Sequence, residues 1–239
     1  MKPARFVSKD FLHGVSSAVG IAIGYFPIGM TYGILARAGG LTFFETVGMS
    51  LMVYAGASQF VALNLMSMGV TPAQIVFTVF MVNIRHFLMG TSLNEKISGD
   101  KIYLKALYSF GITDETFAVS SVKADRITSQ FMFGLISVAY ASWVTSSGAG
   151  YLLGRGMPSF LKTGMSIALY ALFIGLLVPS IHKNRSVVLI AGLAGALNAG
   201  LRLVISPGWA IVTASLISAT LGSLVFGGAS SGSEGEVSS

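Results

Sequence analysis

Two adjacent carboxylates, Asp114 and Glu115, sit in an apolar stretch as Thr113-Asp114-Glu115-Thr116-Phe117. They repel each other and are poorly solvated there. Both effects favour holding a proton, which is what a proton-coupled carrier needs. Consecutive helical residues point about 100° apart, so one carboxylate can pair with a cation while the other faces a cavity. A partner is at hand in Asn83-Ile84-Arg85-His86-Phe87-Leu88. An Arg at membrane depth is costly unless it finds a counter-charge or water, or snorkels toward the basic group Lys96, Lys101 and Lys105. His86 titrates near neutral pH when free and is otherwise a satisfied structural residue. A third cluster, Ala55-Gly56-Ala57-Ser58-Gln59-Phe60, combines small residues with a costly amide. Gln59 can bond a polar substrate, support a helix break, or glue two helices together. The fourth runs Pro27-Ile28-Gly29-Met30-Thr31-Tyr32-Gly33. A break there frees N–H groups that can hold a carboxylate; the structural alternative is a packing kink, with Gly29 and Gly33 allowing close helix contact.

The elements that hold these clusters are long apolar runs. No Asp, Glu, Lys or Arg occurs in 11–36, 46–84, 127–154, 163–182 or 203–233. About 20 apolar residues span a bilayer core as a helix. Candidate spans are 11–36, 45–69, 72–94, 127–153, 161–181, 186–204 and 208–228, and 102–122 is an eighth apolar stretch interrupted by Asp114 and Glu115. That last stretch is either a full span or a partly inserted, broken helix. The expected fold is an all-α polytopic membrane protein of seven to eight transmembrane helices, some of them broken. Seven complete crossings are favoured. Pro27, inside the first run, is the expected break.

Composition supports this. The chain of 239 residues is 53% hydrophobic and 10% charged, with mean hydropathy +0.76. A soluble domain carries about 25% charge. The net charge of +6 falls at segment ends, so lipid headgroups explain it and nucleic acid is not a partner. The absence of Cys excludes disulfides and thiolate sites. His13, His86 and His182 lack metal-ligand spacing, and no Walker loop or nucleophile elbow occurs. No metal, cofactor or enzymatic activity is expected. The basic N-terminus reads as leading into a retained first helix rather than a signal peptide. The Gly/Ser-rich tail 227–239 is expected to be disordered.

A faint repeat runs through one transmembrane domain, 1–226. Phe11-x-x-Gly14 recurs as Phe131-x-x-Gly134, Tyr32 as Tyr151, Gly48-Met49-Ser50 as Gly164-Met165-Ser166, Tyr54 as Tyr170 and Asn83 as Asn198. The halves are about 11–94 and 127–204, linked by 102–122. They are inverted if the count of crossings from one segment to its equivalent is odd.

The four clusters together resemble the AzlC-type family, the large subunit of two-component branched-chain amino-acid exporters. Its half-broken first helix with Pro-x-x-x-x-x-Gly is matched by Pro27 to Gly33. Its Ala-Gly-Ala-x-Gln-Phe, Asn-x-Arg-His and Thr-Asp-Glu-x-Phe motifs are matched by Ala55–Phe60, by Asn83, Arg85 and His86, and by Thr113–Phe117. The likeness covers about 8–226. It implies export of leucine, isoleucine, valine and sometimes methionine from a prokaryotic cell across its inner membrane, driven by the proton gradient. It also implies a small AzlD-type membrane subunit as partner.

On this reading Pro27, Gly29, Tyr32, Gly33, Gln59, Asn83 and Arg85 bind the amino-acid substrate, while Asp114, Glu115 and His86 carry the proton coupling. The rival readings are a membrane-embedded enzyme and an uncoupled channel or scaffold.

Overall fold

The computed structural model describes residues 8–97, 100–122, 127–156, 186–205 and 207–226. Every regular element among them is helical: α1 (Lys9–Ala38), α2 (Phe43–Met52), α3 (Gly56–Ser67), α4 (Pro72–Lys96), α5 (Ile102–Ser109), α6 (Asp114–Val122), α7 (Ser129–Leu153) with a short 3-10 turn at Gly154–Gly156, α8 (Ser186–Leu201) and α9 (Pro207–Phe226). The expected span 161–181 and the tail 227–239 lie outside the described residues. Among the described residues two helices, Lys9–Ala38 and Pro72–Asn94, are long and apolar enough to cross a membrane. α7 is charge-free and 25 residues long.

The chain divides into two compact units, residues 1–63 with 82–166, and 64–81 with 167–239. In the second, Gly222 of α9 lets Ile190 of α8 approach, and the Phe77 and Trp209 rings meet at 5.5 Å.

The first unit is built on α1 and α7. Gly14 meets Phe131 and Leu135, the Ser142 hydroxyl donates to the Ala22 carbonyl at 2.8 Å, and Gly33 meets Ser147 and Tyr151. Partner numbers rise together, so the helices run parallel over their lengths. A β-carbon at Gly14 or Gly33 would overlap the opposite backbone, which is why small residues line this seam. The contact is reciprocal: Gly14 lies on the Phe131 carbonyl and Gly134 on the Phe11 carbonyl. The two Phe-x-x-Gly motifs thus face each other about a local twofold running along the helices.

The break expected at Pro27 is absent. α1 is continuous through it, although Pro27 offers no N–H to the preceding turn. Packing against α7 overrides the local signal, and the Thr31 hydroxyl donates to the Pro27 carbonyl at 2.9 Å.

The breaks lie elsewhere. The expected helix at 45–69 is two helices. α2 starts from a capping box of Thr42 and Glu45 and runs back along α7. The Phe43 ring meets Tyr151 at 5.6 Å, Ser50 donates to Ser147 at 2.9 Å, and Leu51 accepts from the Tyr140 hydroxyl at 2.8 Å. The helix ends before Tyr54, whose φ of +40° is costly for a bulky side chain, by about 1–3 kcal/mol. α3 starts at Gly56 beside Trp143 and turns back, since Phe60 reaches Tyr32 (5.9 Å) further toward the α1 C-terminus. α2 and α3 therefore form a hairpin entering from the C-terminal end of the α1–α7 pair.

The stretch 102–122 is also a broken helix, and it enters from the other end. Going up α5, Ser129 donates to Asp100 (3.4 Å), Tyr108 meets Phe133 (6.0 Å) and Phe110 meets Tyr140 (6.1 Å). Coming down α6, the Ser120 hydroxyl reaches the Met132 sulfur at 3.3 Å. Lys96 donates to the Ser121 carbonyl (2.6 Å) and Lys105 to the Ile97 carbonyl (3.3 Å), so both open ends of this hairpin lie beside the end of α4. At 8 to 12 residues each, the four half-helices are about 12–18 Å long.

Candidate functional site

The two hairpin tips meet near the middle of α1 and α7. Tyr54 from one tip lies 4.8 Å from the Tyr140 ring and 6.2 Å from Phe110 of the other. The Tyr54–Tyr140 contact is edge-on, an arrangement that is favourable and fills space well. The Tyr54 hydroxyl is buried and has no hydrogen-bond partner.

Beside this seal, α6 begins with the two carboxylates. Thr113 caps it reciprocally: its hydroxyl accepts from the Thr116 N–H (3.3 Å) and its own N–H donates to the Thr116 hydroxyl (2.8 Å). Carboxylates in a first turn are also favoured by the helix dipole. The neighbours then diverge. Asp114 pairs with the Arg85 guanidinium of α4 at 3.0 Å, whereas Glu115 accepts from the Tyr25 hydroxyl of α1 at 2.6 Å. Tyr25 also lies 2.7 Å from the Thr113 hydroxyl. Arg85 is about a third exposed and Asp114 similarly, so the pair can be reached from outside. The guanidinium is only half used, because its Nε is buried without a partner. Arg85 therefore does not snorkel; Lys96 and Lys105 occupy that end on their own.

The other tip is tied down by Gln59, which is fully buried. Its amide donates to Ser50 (3.0 Å) and its carbonyl accepts from the Trp143 indole (2.7 Å). Ser50 continues the chain to Ser147. Gln59 thus supports the break, with both ends of its amide satisfied inside the protein. Tyr32 is buried against Phe60 and Trp143. Asn83 accepts from the Ser58 hydroxyl, linking α4 to the start of α3.

A cavity of about 450 Å³ opens between α4 and the α5–α6 hairpin, lined by His86, Phe87, Gly90, Thr91, Asn94, Ser109 and Ile112. His86 is the one sequence-predicted residue in its wall. Gly29 and Gly33 face α7 instead: a β-carbon at Gly29 would overlap Ser146. With α1 continuous, Pro27, Gly29 and Gly33 offer neither freed N–H groups nor an opening.

The structure therefore brings Arg85, His86, Asp114 and Glu115 to one neighbourhood and leaves the Pro27–Gly33 stretch in a packing seam. Sequence reasoning missed Tyr25, Tyr54 and Trp143. Tyr25 carried a signal, since it precedes Tyr32 by two helical turns and shares its face. Tyr54 carried none, because it is an ordinary aromatic in an apolar run.

The model of the family described as AzlC protein matches residues 20–157, which runs from α1 through α7. Among relatives, Inner membrane protein YgaZ of Escherichia coli (strain K12) is 32% identical, covering 80% of this chain and 81% of its own. An uncharacterized membrane protein of Archaeoglobus fulgidus is 31% identical, covering 80% and 84%. Branched-chain amino acid transport protein AzlC of Bacillus subtilis (strain 168) is 30% identical, covering 69% and 65%. No solved structure matches. A family match over more than half the chain, with relatives of this identity and coverage, makes the protein a member of the AzlC family.

Proposed function

We propose that this protein is a secondary carrier that exports branched-chain amino acids (leucine, isoleucine and valine, with methionine as a further candidate) across a prokaryotic inner membrane, coupled to protons and assisted by a small membrane subunit. The observation that carries the proposal is the pair between Arg85 of α4 and Asp114 at the hairpin tip, about a third exposed and with the Arg85 Nε unpartnered. A zwitterion carries the same two charges as this pair. Its carboxylate can take the exposed part of the Arg85 guanidinium, while its ammonium takes Asp114. Its apolar side chain then has room against Phe87 and Ile112 in the adjoining cavity. Glu115, held apart on Tyr25, is the proton carrier, with His86 in the cavity wall as its relay. Gln59, Tyr32 and Asn83 position the tip. The Bacillus relative's name, which specifies branched-chain amino acid transport, supports the substrate class.

Membrane placement is argued from surface and parity. Val19, Ile23 and Phe26 of α1 and Val76, Phe80 and Phe87 of α4 are well exposed, and such apolar faces call for lipid. Parallel α1 and α7 require an odd number of crossings between them, which α4 alone supplies if both hairpins are re-entrant. Each half-helix is about half of a 30 Å hydrocarbon core in length, as a re-entrant hairpin should be. Backbone broken at that depth is tolerable only inside protein or beside a watery cavity.

The test is counterflow of radiolabelled leucine in proteoliposomes with and without a pH gradient. Gradient-sensitive counterflow is expected, whereas leucine flux indifferent to the gradient and unsaturable would mean a pore. Arg85→Lys, which keeps charge but loses the planar fork, should weaken leucine about 10–100-fold, corresponding to a loss of about 1.5–3 kcal/mol. Unchanged affinity in that variant would remove the carboxylate from Arg85.

A further inference from the structure

We propose that Tyr54 is the gate residue of the carrier: its ring closes the junction between the two hairpin tips, and withdrawal of the tip it sits on opens the route. The inference rests on the carrier reading but comes from separate observations. Tyr54 bridges the hairpins, touching Tyr140 of α7 at 4.8 Å and Phe110 of the opposite tip at 6.2 Å. It is the only described non-glycine residue with positive φ, at +40°. A bulky side chain holds that backbone only where its surroundings force it, so relaxing to an ordinary conformation is downhill once the tip is released. Its hydroxyl is buried and makes no hydrogen bond of good geometry, with the Tyr25 hydroxyl beside it and the Glu115 carboxylate within electrostatic reach. A buried hydroxyl left unpaired is costly, and a movement that supplied a partner would recover that cost.

The closed state is therefore sealed by rings and biased against itself by backbone and hydroxyl together. The rest of the α2–α3 hairpin is firmly held. Gln59 is bonded at both ends of its amide and Ser50 is tied to Ser147, so motion is confined to the three residues Val53, Tyr54 and Ala55 between the helices.

Wild type, Tyr54→Ala, Tyr54→Phe and Phe110→Ala are reconstituted with an internal pH-sensitive dye, and the proton leak is read without substrate. Tyr54→Ala is expected to leak at least tenfold faster than wild type, and Tyr54→Phe, which keeps the ring, to stay as tight as wild type. Equal tightness of Tyr54→Ala, or a Tyr54→Phe that leaks as Tyr54→Ala does, overturns the proposal. If Tyr54→Ala fails to insert, Phe110→Ala decides: it removes another ring of the same seal, so a leak supports the gate and tightness overturns it. Leucine counterflow by wild type is measured in parallel. Its absence would refute the carrier reading, while the leak comparison still judges the seal.

Discussion

Asp114 and Glu115 are neighbours in sequence with different partners, and their substitutions should fail differently. Asp114→Asn leaves Arg85 without its counter-charge and removes the proposed ammonium ligand, so flux in every mode should be lost while membrane insertion persists; labelled leucine counterflow beside a membrane-fraction blot reads both. Glu115→Gln keeps the hydrogen bond to Tyr25 but cannot exchange a proton. It should abolish gradient-driven uphill transport and spare leucine exchange, and wild-type uphill transport in this variant would remove the proton role. The polarity of these residues was legible because charge inside an apolar run is conspicuous. Their partners were only partly so. The 100° turn between successive helical positions made a split between Arg85 and another group readable, but Tyr25 lies 90 residues away from Glu115 and no spacing announces that pairing.

At the scale of elements, the glycines sort into two kinds that a sequence does not distinguish. Gly14 and Gly134 lie on opposing carbonyls, whereas Gly24 has open space where a β-carbon would stand. Gly14→Ala should destabilise by about 1–3 kcal/mol through forced separation of α1 and α7, and Gly24→Ala should be neutral or stabilise by up to about 1 kcal/mol through helix propensity. Thermal unfolding in detergent compares the two. The same seam explains why the helix break was misplaced. Proline is a strong local signal, but Pro27 sits in a helix clamped along its length by α7. Val53-Tyr54-Ala55 contains no breaker, and is broken because Gln59, Trp143 and the Ser50–Ser147 pair hold the two half-helices at an angle the backbone must follow. Tertiary contacts decided both sites, and a single sequence displays such contacts poorly.

For the whole molecule, apolar run lengths made the helical class legible but not the path of the chain. The runs at 45–69 and 102–122 are long enough to cross, and only the order of their contacts along α7 reveals that each turns back. Labelling tests this. The native chain has no Cys, so single cysteines at Lys101, Val122 and Ala38, all exposed positions, report cleanly. Lys101→Cys and Val122→Cys should react with an impermeant thiol reagent from the same face, and Ala38→Cys from the opposite one. Reaction of Val122→Cys on the Ala38 face would make 102–122 a true crossing. The reciprocal Phe11–Gly134 and Phe131–Gly14 contacts bear on the repeat in the same way. A twofold along parallel helices fits a tandem duplication of like orientation, so the halves, if duplicated, are not inverted at this pair.

Hairpins that approach from opposite ends and stop at a single layer of rings have an electrical corollary. In a carrier with watery vestibules up to each tip, the membrane voltage falls across that thin layer instead of the full ~30 Å of hydrocarbon. A proton crossing from one vestibule to the other then senses nearly the whole drop, about 2.3 kcal/mol for 100 mV. Net turnover should accordingly steepen with imposed potential even at equal pH on both sides, making voltage as much a driving force as acidity.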